Sequence, residues 1–126
     1  MATVAQVPLV IFIDDDESVC EAMAGFLKAF GFGVETFLSA EDFLKANRMD
    51  KTACLITDVQ LSGMSGLELQ SRLVALECRF PIIFITAFFD EAIRKRALSS
   101  GALGFLGKPV PKDELLACVR SAVENR

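Results

Sequence analysis

Apolar positions along the chain alternate between two periods. Leu9-Val-Ile-Phe-Ile13 is a short run of β-branched and aromatic side chains closed by acids, which predicts a strand buried on both faces. Val19, Ala22, Met23, Phe26, Leu27 and Phe30 then recur at helical spacing, and Gly31 stops them. Val34 to Phe37 alternates more weakly and suits an edge strand. Ser39-Ala-Glu-Asp42 reads as a capping box opening a helix that runs to Ala46. Ala53 to Thr57 predicts a third strand, and a Gly/Ser-rich loop leads to a helix with Leu69, Leu73 and Leu76 on one face. Pro81 to Ile85 predicts the fourth strand, Asp90 to Ser100 a capped helix closed by Gly101, and Leu103 to Leu106 a short fifth strand. A last helix begins near Pro111 with Leu115, Val119, Ala122 and Val123 as its buried stripe.

Strands alternating with helices in this way imply a doubly wound α/β fold, a parallel sheet covered by helices on both faces. The 126 residues suit one domain, with residues 1–7 expected as a loose N-terminal extension. No apolar stretch approaches the roughly 20 residues of a membrane span, and no basic region precedes the first apolar run, so neither membrane nor leader is expected.

Composition narrows the chemistry. The chain has no histidine, tryptophan or tyrosine, which excludes a Ser-His-Asp triad, a Cys-His pair and a His-ligated zinc site. A formal charge of −4 argues against direct nucleic-acid binding, and the Arg94, Lys95, Arg96 cluster is expected to be a solvated helix face. Cys20, Cys54, Cys78 and Cys118 are scattered without a C-x-x-C pair, so they are expected as free thiols of a reduced, cytoplasmic protein.

Polar residues gather where the strands end. The first strand ends in Asp14, Asp15 and Asp16, the third in Asp58, the fourth in Thr86 and the fifth in Lys108. In an open α/β sheet these ends form the ligand crevice. Converging carboxylates without histidine or thiolate select a hard cation, Mg²⁺ or Mn²⁺. Suppose Asp58 accepts a phosphoryl group. Asp14 and Asp15 then carry about −2, the phosphoryl oxygens about −2, the metal +2 and Lys108 +1, a sum near −1. Without the metal that sum falls to about −3, so the ion is expected to be obligatory. Carboxylates are established nucleophiles towards phosphorus.

With those residues in view, the chain resembles a receiver (chemotaxis-like) domain of a two-component response regulator over essentially its full length. The matching stretches are Val10-Ile-Phe-Ile-Asp-Asp-Asp-Glu17, Leu55-Ile-Thr-Asp58 with Gly63-Met-Ser-Gly66, Ile85-Thr-Ala87 and Gly104-Phe-Leu-Gly-Lys-Pro109. The resemblance implies a flavodoxin-like (βα)5 sheet in order 2-1-3-4-5. It implies Asp58 as phosphoacceptor and Asp14 and Asp15 as the acidic pair, with Asp58 itself and the Gln60 backbone carbonyl completing the Mg²⁺ ligands. Lys108, joined to Pro109 by a cis bond, would pair with the phosphoryl oxygens, and Thr86 with Phe105 would form the switch. The phosphoryl donor would be a phosphohistidine on a sensor histidine kinase or phosphotransfer protein. The readout, a phosphorylation-dependent homodimer included, would use the fourth helix, fifth strand and fifth helix. The chain would be no enzyme beyond its own phosphorylation and slow dephosphorylation. Its motif style resembles receivers joined to helix-turn-helix output domains, so it is expected as a single-domain regulator or part of a longer one.

Three positions depart from the pattern: Ser62 stands where proline is usual, Val110 where phenylalanine is common, and Phe88-Phe89 where smaller or polar residues are frequent. For Phe88, near the switch threonine, two readings stand: the ring covers the site partly and slows attack by water, or both rings pack against neighbouring loops or a dimer partner. Two rivals stand beside this reading. A haloacid-dehalogenase-type phosphatase would use Asp14 as nucleophile and Asp16 as acid/base, and a receiver-like module would bind partners without phosphorylation.

Overall fold

The computed structural model describes residues 7–124. Of the expected N-terminal extension, only Val7 lies among them, and it is exposed. Five strands form one sheet: β1 (Leu9–Ile13), β2 (Gly33–Phe37), β3 (Cys54–Asp58), β4 (Ile82–Thr86) and β5 (Gly104–Gly107). Between and after them run α1 (Glu17–Ala29), α2 (Ala40–Ala46), α3 (Gly66–Ala75), α4 (Glu91–Ser99) and α5 (Lys112–Glu124). All pairings are parallel and the strand order is β2-β1-β3-β4-β5, the doubly wound arrangement predicted, with β2 at an edge. The central strands β1, β3 and β4 are apolar up to their carboxyl ends because both faces are covered.

Alternate residues of each strand feed two cores. Ile11, Ile13, Leu55, Phe84 and Phe105 pack with Phe43 of α2, Leu69 and Leu73 of α3 and Ala97 of α4. Val10, Phe12, Cys54, Ile56, Ile83 and Ile85 pack on the other face with Cys20 and Leu27 of α1 and Leu115, Val119 and Ala122 of α5. Strand side chains alternate with period two, so a single strand can serve both layers.

Several boundaries differ from the sequence reading, each for a physical reason. β3, β4 and β5 end one residue later than the apolar runs, because the ladder pairs Asp58 with Ile85 and Thr86 with Gly107 after hydrophobicity has stopped. Phe30 and Leu76 were expected on buried stripes. They are instead the C-cap residues of α1 and α3, and they are exposed, since the stripe no longer follows the helix there. Ala22 is exposed as well, because it lies across the helix from Cys20, which with Leu27 makes the buried face of α1. A 3₁₀ turn, Met49–Lys51, carries no sequence signal strong enough to predict it. Ser39 accepts the Asp42 N–H as expected, but the full reciprocal box is formed by Ser65 and Glu68 at α3.

Candidate functional site at the carboxyl edge of the sheet

The strand register builds the site. Ile13 lies level with Thr57, so Asp14 and Asp58 emerge side by side from β1 and β3. Asp58 lies level with Ile85, and Thr86 with Gly107, so Thr86 and Lys108 each sit one step further along. The Lys108 N–H donates to the Thr86 carbonyl at 2.7 Å, which fixes the β5–α5 turn over the site. The Lys108–Pro109 bond is cis, as the resemblance implied.

Lys108 Nζ donates to Asp58 Oδ2 at 2.7 Å and to Asp14 Oδ2 at 3.0 Å. Asp14 and Asp58 are both buried, and the lysine side chain is 27% exposed. Burial by itself depresses an ammonium's pKa. Here the hydrogen bonds and charges of Asp58 and Asp14 outweigh it and raise Lys108 above its ordinary 10.5. The other carboxylate oxygens are also engaged: Asp58 Oδ1 accepts the Gln60 N–H, and Asp14 Oδ1 accepts the Asp16 N–H, each at 2.9 Å.

Asp15 turns differently. It is exposed, and its Oδ2 accepts both the N–H and the hydroxyl of Ser62, each at 3.2 Å. Asp14, Asp58 and Lys108 therefore meet, whereas Asp15 is drawn to the β3–α3 loop. Among the described residues no three acidic or thiol side chains close on one point. Even so, three carboxylates and one ammonium leave a formal excess of two negative charges. A divalent ion that takes few protein ligands and keeps its waters fits that set. Asp16, the acid/base of the phosphatase alternative, caps α1 by accepting the Ser18 and Val19 N–H groups.

Thr86 is buried, and its hydroxyl is held within its own loop: it accepts the Phe88 N–H at 3.1 Å and donates to the Phe88 carbonyl at 3.2 Å. Phe105 lies inward, its ring 6.3 Å from that of Phe84 and edge-on to Phe89 at 5.6 Å. Phe88 and Phe89 are 69% and 56% exposed.

Two contributors were not anticipated. Gly66 begins α3 against β3: its N–H donates to the Val59 carbonyl at 2.8 Å, and a Cβ there would collide with the Asp58 carbonyl oxygen. Glu41 of α2 reaches the β3–α3 loop and accepts the Met64 N–H at 3.0 Å. The Gly63-Met-Ser-Gly66 spacing held the signal for Gly66. Glu41 was masked because an acid in a first helical turn already has a local explanation.

A family model described as the response regulator receiver domain matches residues 10–120. Nodulation protein W of Bradyrhizobium diazoefficiens is 38% identical over 93% of this chain and 52% of its own length. The transcriptional regulatory protein FixJ of the same organism is 35% identical over 90% of this chain and 55% of its own length. The chain thus spans about half the length of these curated relatives. The solved structure of the response regulator StyR superposes with a TM-score of 0.88 at 40% identity, over 94% of this chain and 60% of that one.

Proposed function

The chain belongs to the response regulator receiver family, and from that premise we propose that it accepts a phosphoryl group on Asp58 from a phosphohistidine on a partner kinase or phosphotransfer protein. The observation that carries this reading is the Lys108 ammonium held at 2.7 Å from Asp58 Oδ2 and 3.0 Å from Asp14 Oδ2. A carboxylate oxygen of Asp58 attacks phosphorus as the phosphorus–nitrogen bond breaks, and the electron pair leaves on the partner's imidazole. Lys108 moves its donor from Asp58 to a phosphoryl oxygen, and the buried floor of β1 and β3 fixes the nucleophile's position. Such transfer depends on positioning and charge neutralisation more than on a general base.

Asp14, Asp15, Asp58 and the Gln60 carbonyl are the groups that would hold Mg²⁺, Mn²⁺ being able to replace it, with Asp15 first released from Ser62. When bound, the ion supplies the positive charge that lets a phosphoryl group sit beside these carboxylates.

Signalling follows from Thr86. Its hydroxyl, bonded only within its own loop to Phe88, is the switchable donor; moving it to the phosphoryl group breaks both Phe88 contacts and repacks Phe89 and Phe105. The exposed rings of Phe88 and Phe89 and the exposed Leu103 place apolar surface beside α4 and β5, which supports that face, together with α5, as the readout and as a homodimer contact. The chain turns over no separate substrate, and water returns Asp58 to its free state slowly. Transcription as the output rests on the named role of FixJ. Four free cysteines fit the reducing cytoplasm, and no helix among the described residues is long and apolar enough to cross a membrane.

The test is intact-mass measurement after incubation with a small phosphodonor such as acetyl phosphate. One phosphoryl group should be gained with Mg²⁺ and none after chelation. Asp58→Asn should abolish the gain. An Asp58→Asn protein that labels as well as wild type overturns the proposal.

A further inference from the structure

Four alternate N–H groups from the β3–α3 loop to the start of α3 are satisfied, three of them by carboxylates from separate parts of the chain: β3, the β1–α1 loop and α2. Gln60 donates to Asp58, Ser62 to Asp15, Met64 to Glu41, and Gly66 to the Val59 carbonyl. Asp58 and Asp15 belong to the phosphoacceptor site. Glu41 does not: it lies in the first turn of α2, and its carboxylate is turned into the loop.

The geometry around Glu41 is that of a fitted contact. Its Oε2 accepts the Met64 N–H at 3.0 Å, while Oε1 is buried with no hydrogen-bond partner among the described residues. A buried, unpaired carboxylate oxygen is costly, so the group is kept there by what its other oxygen holds. The Met64 N–H, then Glu41's own N–H, and the Lys45 charge hold the carboxyl below its ordinary value. Gly63 makes the space. Its φ is +80°, where side chains are strained, and a Cβ there would lie 2.5 Å from Glu41 Oε2.

We propose that Glu41 is a positioning residue for the phosphoacceptor site. By holding Met64 it fixes the far half of the loop whose near half carries the Gln60 carbonyl, and so keeps that carbonyl available to a divalent ion beside Asp58. Three of the loop's four bonds are to side chains, and a loop held in this way sits at the low-stability end of a fold, where removing one partner favours local opening. The inference rests on the phosphoacceptor reading above, and extends it to a residue on a helix outside the site.

The experiment uses the full chain as wild type, Glu41→Ala and Glu41→Gln. Amide exchange at Gln60, Ser62 and Met64 is followed by NMR, Mg²⁺ binding by calorimetry, and beryllofluoride uptake by fluorine NMR. Glu41→Ala should speed exchange at Ser62 and Met64, leave α5 unchanged, and weaken Mg²⁺ roughly tenfold, the low end of what losing an outer-shell partner costs. Glu41→Gln keeps an acceptor oxygen and should restore both readouts towards wild type. Unchanged exchange in Glu41→Ala overturns the latch. Faster exchange with unchanged Mg²⁺ affinity overturns its role at the site. A wild type that takes up neither Mg²⁺ nor beryllofluoride overturns the phosphoacceptor reading itself and this inference with it, and is told apart by the wild-type titration alone.

Discussion

At Lys108 one ammonium serves two buried carboxylates, and its charge persists across the physiological range. Its folded pKa is raised, so its contribution to stability is fully present below the ordinary 10.5 and is lost only as pH climbs through the higher folded value. Lys108→Gln should therefore cost about 2–3 kcal/mol, the scale of hydrogen bonds to charged groups. In urea titrations that cost should stay flat between about pH 7 and pH 9. A cost that fades across this interval contradicts the assignment. The residues of this centre were legible because each stands where an apolar strand run stops: Asp14 after Ile13, Asp58 after Thr57, Thr86 after Ile85. Their pairing preferences were not. Nothing in the order of residues says that Asp15 turns to Ser62 instead of joining Asp14 at the lysine, because that choice is made by a loop distant in sequence.

Single elements are placed by close approaches that patterning cannot see. α3 meets β3 at Gly66, where a Cβ would press on the Asp58 carbonyl, the Val59 backbone and the Phe84 ring. Gly66→Ala should cost about 2–3 kcal/mol by overpacking and should slow phosphoryl uptake as well, because it displaces the backbone of Asp58, the proposed nucleophile. Calorimetric melting and labelling rate measure the two effects, and a melting temperature equal to wild type would refute the claim. The alternating strand and helix periods gave element type and order correctly. They misplaced the ends of β3, β4 and β5 by one residue because backbone pairing outlasts hydrophobicity. They misjudged Phe30 and Leu76 because a helix cap leaves the buried stripe while its side chain still looks apolar.

Across the molecule, the polar site lies at one edge of the sheet, while the exposed Phe88, Phe89 and Leu103 lie around α4 and β5. In the proposed function, this arrangement would convert a local charge event into a change of apolar surface. Light scattering should show a larger species when beryllofluoride and Mg²⁺ are both present, and Thr86→Ala should reduce that response while leaving Asp58 labelling intact. Unchanged association in Thr86→Ala would separate the switch from the site. The sheet order followed from family resemblance, since parallel strands in sequence order admit several crossovers and local patterning does not choose among them. The measurement that bears most directly on the whole account is the position of the phosphoryl group. After phosphodonor and Mg²⁺, the acyl phosphate is trapped by borohydride reduction and located by peptide mass mapping. The modification is predicted on Asp58 alone; finding it on Asp14, with Asp58 unmodified, would contradict the account.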